Sequence, residues 1–287
     1  MTAKGRGDGK AFRQVSEELR LRMVDGTYSL GADLPSQRDL ATEFGVSRDT
    51  VQRVIQELAN EGWIENRQGR RARVIKHQRI QSKTARATRS RRPMTLGPLI
   101  SEAFERPEVN LDVYTLTSES LDAHIRLQAE RIRAGDIEPE RVRLRVLLPS
   151  ESLEQPYPRA SDPKDDTRLR DRLRHITKRH TESLHQVLRD LQAEKLVSVD
   201  LEIRHAPLTP TFKLYVINED EVLHGLYQVV ERDLVLDSGD EIRALDVLGL
   251  GATLTHHVRD ADPDSSGSIF VETHRQWFDS VWNLLAE

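Results

Sequence analysis

The chain has 287 residues, 37% hydrophobic and 31% charged, with no cysteine and a formal net charge of −4. That length accommodates two cores, the apolar content excludes wholesale disorder, and the missing cysteines exclude disulfide frameworks and cysteine zinc sites. No apolar run approaches the ~18 residues of a membrane helix, and the polar start MTAKGRGDGK lacks a secretory apolar region, so a soluble cytoplasmic protein without a membrane partner is expected.

The first elements are helical. Phe12, Val15, Leu19 and Met23 recur at helical spacing, and Gly26 ends the stripe. Ser36, following Pro35, opens a second helix whose apolar face is Leu40, Ala41 and Phe44. Gly45 is placed for a sharp turn needing a positive φ. Val46 packs inward, Ser47 caps the next helix, and Val51, Val54, Ile55 and Leu58 form its buried stripe. The outward residues are then Arg48, Asp49, Gln52, Arg53 and Gln56, types that reach bases and phosphates from a major groove. Gly62 breaks that helix. The stretch WIENRQGRRARVIK reads as two strands around a glycine tip, a basic hairpin.

The acidic total hides a bipolar chain. Up to Arg92 there are 20 basic and 11 acidic residues, a net of +9; from Pro93 onward there are 23 and 36, a net of −13. Asn66 to Arg92 holds 11 basic residues and no acid. A polyanion is thus the expected partner of the N-terminal part alone. The plainer alternative is a solvated basic linker, and the helical motif just upstream weighs against it.

The run from Phe12 to Val74, with LPSQRDLA, then FGVSRDTVQRVIQELANEGWI, then a basic wing containing Gly69, resembles the winged-helix domain of the GntR family of bacterial regulators. The resemblance implies a dimer bound to a palindromic double-stranded operator. It places Arg38, Ser47, Arg48, Thr50 and Gly69 where family members meet phosphates and bases. Gln52 stands where arginine is common, which implies a different operator, and Arg67, Arg70 and Arg71 make the wing more basic than usual. From residue chemistry alone, Ser47 and Thr50 can donate to phosphates, and Arg48 and Arg53 can meet guanine or phosphate.

The expected organisation is a winged helix-turn-helix over 1–76, a flexible basic linker over 77–97, and an α/β domain with a mixed sheet over 98–287. In the last part the strands are VNLDVYTLT, RVRLRVLLP (with Val142, Leu144, Val146 and Leu148 on one face), VSVDLEIRHA, FKLYVINE and EVLHGLYQVV. The helices are SESLDAHIRLQAERIRAG, Arg168 to Leu196, and a closing helix with Phe270, Trp277, Val281, Trp282 and Leu285 as expected core. The alternation predicts a layered α/β domain.

TFKLYVINEDEVLHG resembles a degenerate phospholipase D signature, with Thr211 in the histidine place, Lys213 in the lysine place and Asn218 in the aspartate place. Thr211 cannot replace a histidine nucleophile without an activating base. The resemblance therefore implies a catalytically dead domain that senses an unidentified effector through Thr211, Lys213 and Asn218. No metal or cofactor is expected. His256 and His257 point to opposite faces of a strand, and Asp260, Asp262 and Asp264 lack the glycine and glutamate of a calcium loop. The expected protein is a ligand-responsive DNA-binding regulator and no enzyme. The alternatives are a DNA-tethered phosphodiesterase-like enzyme and a ligand-free scaffold answering to a protein partner.

Overall fold

In the computed structural model, the described residues are 11–12, 14–16, 18–20, 22–23, 27–28, 31–60, 63–65, 71–74, 80–82, 96–236, 240–248 and 253–287. Helix α1 is helical at its described residues between 11 and 23. Helix α2, Gln37–Phe44, begins where the Ser36 side chain accepts the Asp39 amide, and it stops at Gly45, whose φ of 63° is left-handed. Any residue with a Cβ would be strained there. Helix α3, Arg48–Asn60, follows at once.

Val15, Leu19, Met23, Leu40, Val51, Val54, Ile55 and Leu58 form one core with Trp63, Ile64 and Val74. Strands β1, Ile64–Glu65, and β2, Arg73–Val74, pair antiparallel as the base of a wing. Asp33 bridges to Arg73 in the backbone and accepts its Nε at 2.9 Å. The wing tip, with Arg67, Gly69 and Arg70, lies outside the described residues, as do Gly26 and Gly62.

Strand β3, Ile80–Ser82, falls within the stretch expected to be a flexible linker. It pairs in parallel with β12, Leu254–Val258, at one edge of the main sheet. Its backbone donors and acceptors meet a ladder there, so this stretch is tied to the second domain. Helix α4, Leu96–Ala103, leads into β4, Glu108–Tyr114; α5, Glu119–Ala134; β5, Arg141–Pro149; β6, Arg159–Ala160; and the long α6, Asp166–Ala193. The remaining elements are β7, Ser198–Ala206; β8, Phe212–Ile217; β9, Glu221–Leu226; β10, Gln228–Val235; β11, Glu241–Leu248; β12; and α7, Ser266–Leu284.

Seven strands form a mixed sheet in the order β3-β12-β9-β8-β4-β5-β7. Strands β4, β5 and β7 run parallel, as crossovers through α5 and α6 require, while β4-β8-β9-β12 is antiparallel. Val142, Leu144, Val146 and Leu148 share one buried face with residues of α4, α5 and α6. The opposite face carries Tyr114, Leu147, Leu214 and Val216 against Phe278, Val281 and Trp282 of α7. A separate three-stranded sheet, β10-β11-β6, leans on the start of α6 through Leu169.

Helix α7 is clamped as well as packed. The Arg145 guanidinium donates to both Asp112 oxygens at 2.7 Å and to Asp279 at 2.8 Å, and lies 5.0 Å from the Phe278 ring centroid. Two expectations for α7 change. Leu285 follows the helix and is 48% exposed, and Phe278, absent from the expected core, is fully buried. Phe278→Ala is expected to lower the unfolding free energy by roughly 3–5 kcal/mol. Leu285→Ala is expected to change it by less than about 0.5 kcal/mol in the same urea titration.

Candidate nucleic-acid interface and sensor cavity

The helix-turn-helix presents a polar face built by its caps. Ser47 Oγ accepts the Thr50 amide at 3.0 Å and sits 2.8 Å from Thr50 Oγ1. That pair fixes the start of α3. Thr50 is 1% exposed, with its hydroxyl beside Ser47. Arg48, Asp49, Gln52 and Arg53 are exposed along one side of α3, and Arg38 is exposed on α2. Arg53 leans back across α1, its guanidinium 5.2 Å from the Phe12 ring centroid. Arg48 and Gln52 are thus the residues of this helix best placed to project outward. Arg71 is exposed at the wing, beside the ion-paired Arg73.

The three residues expected to gather an effector do not gather. Thr211 precedes β8, is exposed, and its carbonyl accepts the Tyr227 amide at 3.0 Å. Asn218 follows β8 at its far end, five residues beyond Lys213, which at strand rise is roughly 17 Å away. Its φ of 49° and the following Glu219 at 64° make the tight turn into β9. Asn218 Oδ1 accepts the Asn110 amide at 2.8 Å, which ties that turn to β4. Asn218 is therefore a turn residue, and asparagine suits it because it tolerates left-handed backbone.

Lys213 alone lines a cavity. It is 4% exposed, on the same face of β8 as Tyr215, and opens into a space of about 80 Å³. Thr117, Glu119 and Ser120 close it from the start of α5. Arg172, Leu173 and Ile176 close it from α6, and Tyr227, Arg232, Leu234, Asp246 and Val247 from the three-stranded sheet and its approach. Among the described residues no hydrogen bond or ion pair reaches the Lys213 ammonium within contact distance. The Tyr227 ring lies 5.7 Å away. Burial pulls the Lys213 pKa down to about 8, and the Glu119 carboxylate partly opposes that. Tyr227 fixes the loop entering α5, accepting the Leu116 amide at 2.9 Å and meeting Thr115 Oγ1 at 3.1 Å. Burial pushes its hydroxyl pKa up, so it stays protonated. Arg232 is held by Asp246, Nε to Oδ2 at 2.8 Å.

Sequence reasoning singled out Lys213 but missed Arg172, Arg232 and Glu119. Their spacing carries no signal, because three separate elements bring them together.

Other polar clusters are structural. Asp122 joins α5 to α6, accepting Ser183 Oγ at 2.7 Å and meeting His180 Nδ1 at 2.8 Å. The serine bonds the carboxylate and not the imidazole, so this is no nucleophile-and-base pair. His256 contacts Glu221 at 2.7 Å while His257 stacks on Phe270, on opposite faces of β12. Asp260 and Asp262 accept the amides of Asp262 and Asp264 in a self-bonded loop. Among the described residues no group of three or more His, Asp or Glu is arranged to hold a metal, and no helix is long and apolar enough to cross a membrane.

Residues 12–74 match the family model described as "Bacterial regulatory proteins, gntR family". The chain is 35% identical over 78 residues to an HTH-type transcriptional regulator of Rhizobium meliloti (strain 1021), covering 27% of this chain and 32% of that one. It is 43% identical over 61 residues to the fatty acid metabolism regulator protein of Haemophilus influenzae (strain PittEE), covering 21% of this chain and 25% of that one. The chain thus spans a third or less of the length of these curated relatives. A solved Streptococcus agalactiae GntR shares 16% identity over 64% of this chain and 86% of its own, with a TM-score of 0.21, a likeness too slight to bear on the architecture. Residues 12–74 are a GntR-family helix-turn-helix domain.

The buried ammonium has a stability signature. Its folded pKa, about 8, lies below the unfolded value of about 10.4. Below pH 8 the residue is charged in both states and the burial cost is fully present. Between the two values the folded chain has lost the proton that the unfolded chain keeps, so this residue's contribution to stability rises with pH. Lys213→Met is expected to be more stable than the parent at pH 7 by about 2–3 kcal/mol. That advantage should shrink as pH rises from 8 to 10, read from urea midpoints of the two proteins side by side.

Proposed function

We propose that this chain is a DNA-binding transcriptional regulator, acting as a dimer on a palindromic double-stranded operator, whose C-terminal α/β region dimerises and senses an effector. The observation that carries the reading is the polar face of α3. Arg48 and Gln52 project from a helix whose other sides are buried, next to a basic wing, in a domain of the GntR family. Such a helix fits a major groove, and the wing reaches the adjacent backbone or minor groove.

In this reading Arg48 and Gln52 read bases. Arg38, Ser47 and Arg53 hold phosphates, with Arg67, Gly69, Arg70 and Arg71 following the neighbouring backbone. Thr50 holds the cap. The net charge of +9 up to Arg92 supplies the sequence-independent attraction, and the remainder, at −13, supplies none. The effector site is the Lys213 cavity and not the Thr211–Lys213–Asn218 set. A phosphodiesterase reading has no support from the site. Thr211, in the nucleophile's place, stands outside the cavity, and among the described residues no histidine lines it beside Lys213.

Anisotropy titrations on a duplex recovered by selection from random DNA test this. Arg48→Ala is expected to lose about 1–3 kcal/mol on that duplex and to lose discrimination at one base position. Arg38→Ala is expected to weaken all duplexes alike and to flatten the slope of log affinity against log salt by about one. Wild-type affinity in Arg48→Ala would refute the docking.

A further inference from the structure

The cavity shares its walls with the seam between the two domains. Helix α5 contributes Glu119 to the cavity, and Ala123 and Leu127 to the core of the helix-turn-helix domain. Helix α6 contributes Arg172 to the cavity, and its Arg179 lies 3.4 Å from Glu57 of α3. Strand β10 contributes Arg232 and runs beside α3. Between these walls lies Arg20 of α1, only 4% exposed, 3.3 Å from Glu57 and 3.6 Å from Glu119.

We infer that the cavity binds a small oxyanion, a phosphate or carboxylate group of a metabolite, and that its occupancy is passed to α3 through Glu119, Arg20 and Glu57. Three observations set the ligand's charge. Lys213 is a buried ammonium whose three donors meet no acceptor among the described residues, a costly arrangement that an anion would relieve. The sixteen-residue α5 starts at the same cavity, and its first-turn amides have no acceptor within the helix. Ser118, at its cap, makes no capping bond, and its Oγ is buried without a partner. Arg172 from α6 and Arg232 from β10, the latter paired with Asp246, add cationic side chains to the lining. About 80 Å³ holds several water-sized groups, enough for an oxyanion head.

The readout follows from Glu119. It is the carboxylate attracted by Lys213 on one side and by Arg20 on the other. An anion at Lys213 neutralises that lysine and repels Glu119. Glu119 then turns its charge toward Arg20 and competes with Glu57 for the guanidinium. The hold of α1 on α3 through Glu57 loosens, and the α3 amides exchange faster. The output on DNA rests on the regulator reading; the anion site does not.

The test uses the full chain at constant ionic strength, with sodium phosphate, sodium acetate and glycerol as probes. Phosphate or acetate is expected to raise the melting temperature saturably while glycerol, the neutral control, does not, and the better anion of the two assigns the chemistry. Lys213→Met should lose the shift and Arg172→Gln should weaken it. No saturable shift with either anion, or an equal shift in Lys213→Met, overturns the site. Hydrogen exchange of α3 reads the relay without DNA. The anion is expected to speed it at least about 5-fold in wild type and not in Arg20→Met or Glu57→Gln. Unchanged exchange in anion-loaded wild type overturns the relay. On the selected duplex the anion should change affinity at least about 5-fold. A protein that binds the anion, loosens α3 and yet binds no duplex sinks the regulator reading and leaves this site standing.

Discussion

Arg20 is a buried guanidinium placed between two carboxylates from different domains, and the rest of the structure is arranged so that this is tolerable. Desolvating a cation costs several kcal/mol, recovered only when partners are close and held. Here Glu57 comes from α3, Glu119 from the first turn of α5, and Arg179 approaches Glu57 from α6. Ala123 and Leu127 pack against the helix-turn-helix core beside them and keep water out. Removing either carboxylate would leave a cation buried short of countercharge, which typically costs about 3–5 kcal/mol. The orientation of α3, and so of Arg48 and Gln52, is set by ions as well as by apolar packing.

The α/β domain gives that arrangement a fixed floor. Its sheet is covered on one face by α4, α5 and α6 and on the other by α7, so α5 and α6 cannot shift without disturbing a continuous core. The Arg145–Asp112–Asp279 clamp pins α7 in the same manner. The cavity opens where these packed elements end, between the start of α5, the outer turns of α6 and the smaller sheet. A charged lysine with no acceptor in such a place costs stability, and such local costs are characteristic of functional positions.

Much of the helix-turn-helix domain was legible because its rules are local. The stripe of Val51, Val54, Ile55 and Leu58, the left-handed Gly45 and the Ser47 cap each follow from spacing or backbone preference within one turn. The burial of Thr50 is less legible, because it depends on how the capping geometry at Ser47 also engages the Thr50 hydroxyl. The parallel strands read clearly, as alternating apolar runs do. Strands β10 and β11 did not. They alternate charges such as Arg232, Asp233, Arg243 and Asp246 that find one another only across the ladder. Strand β3 was hidden for a similar reason: its short polar stretch is a strand only because β12 offers it an edge. The cavity was the least legible feature, since α5, α6, β8 and β10 lie far apart in the chain.

A double-mutant cycle between Arg20 and Glu119 tests most directly whether the two domains form one ionic unit. Unfolding free energies would be compared for the wild type, Arg20→Met, Glu119→Gln and the double variant at pH 7 and low salt. A coupling energy above about 1 kcal/mol is predicted, with the double variant less damaged than the sum of the singles. Additivity within about 0.5 kcal/mol would contradict it and would leave the Arg20–Glu119 contact without a part in joining the two domains.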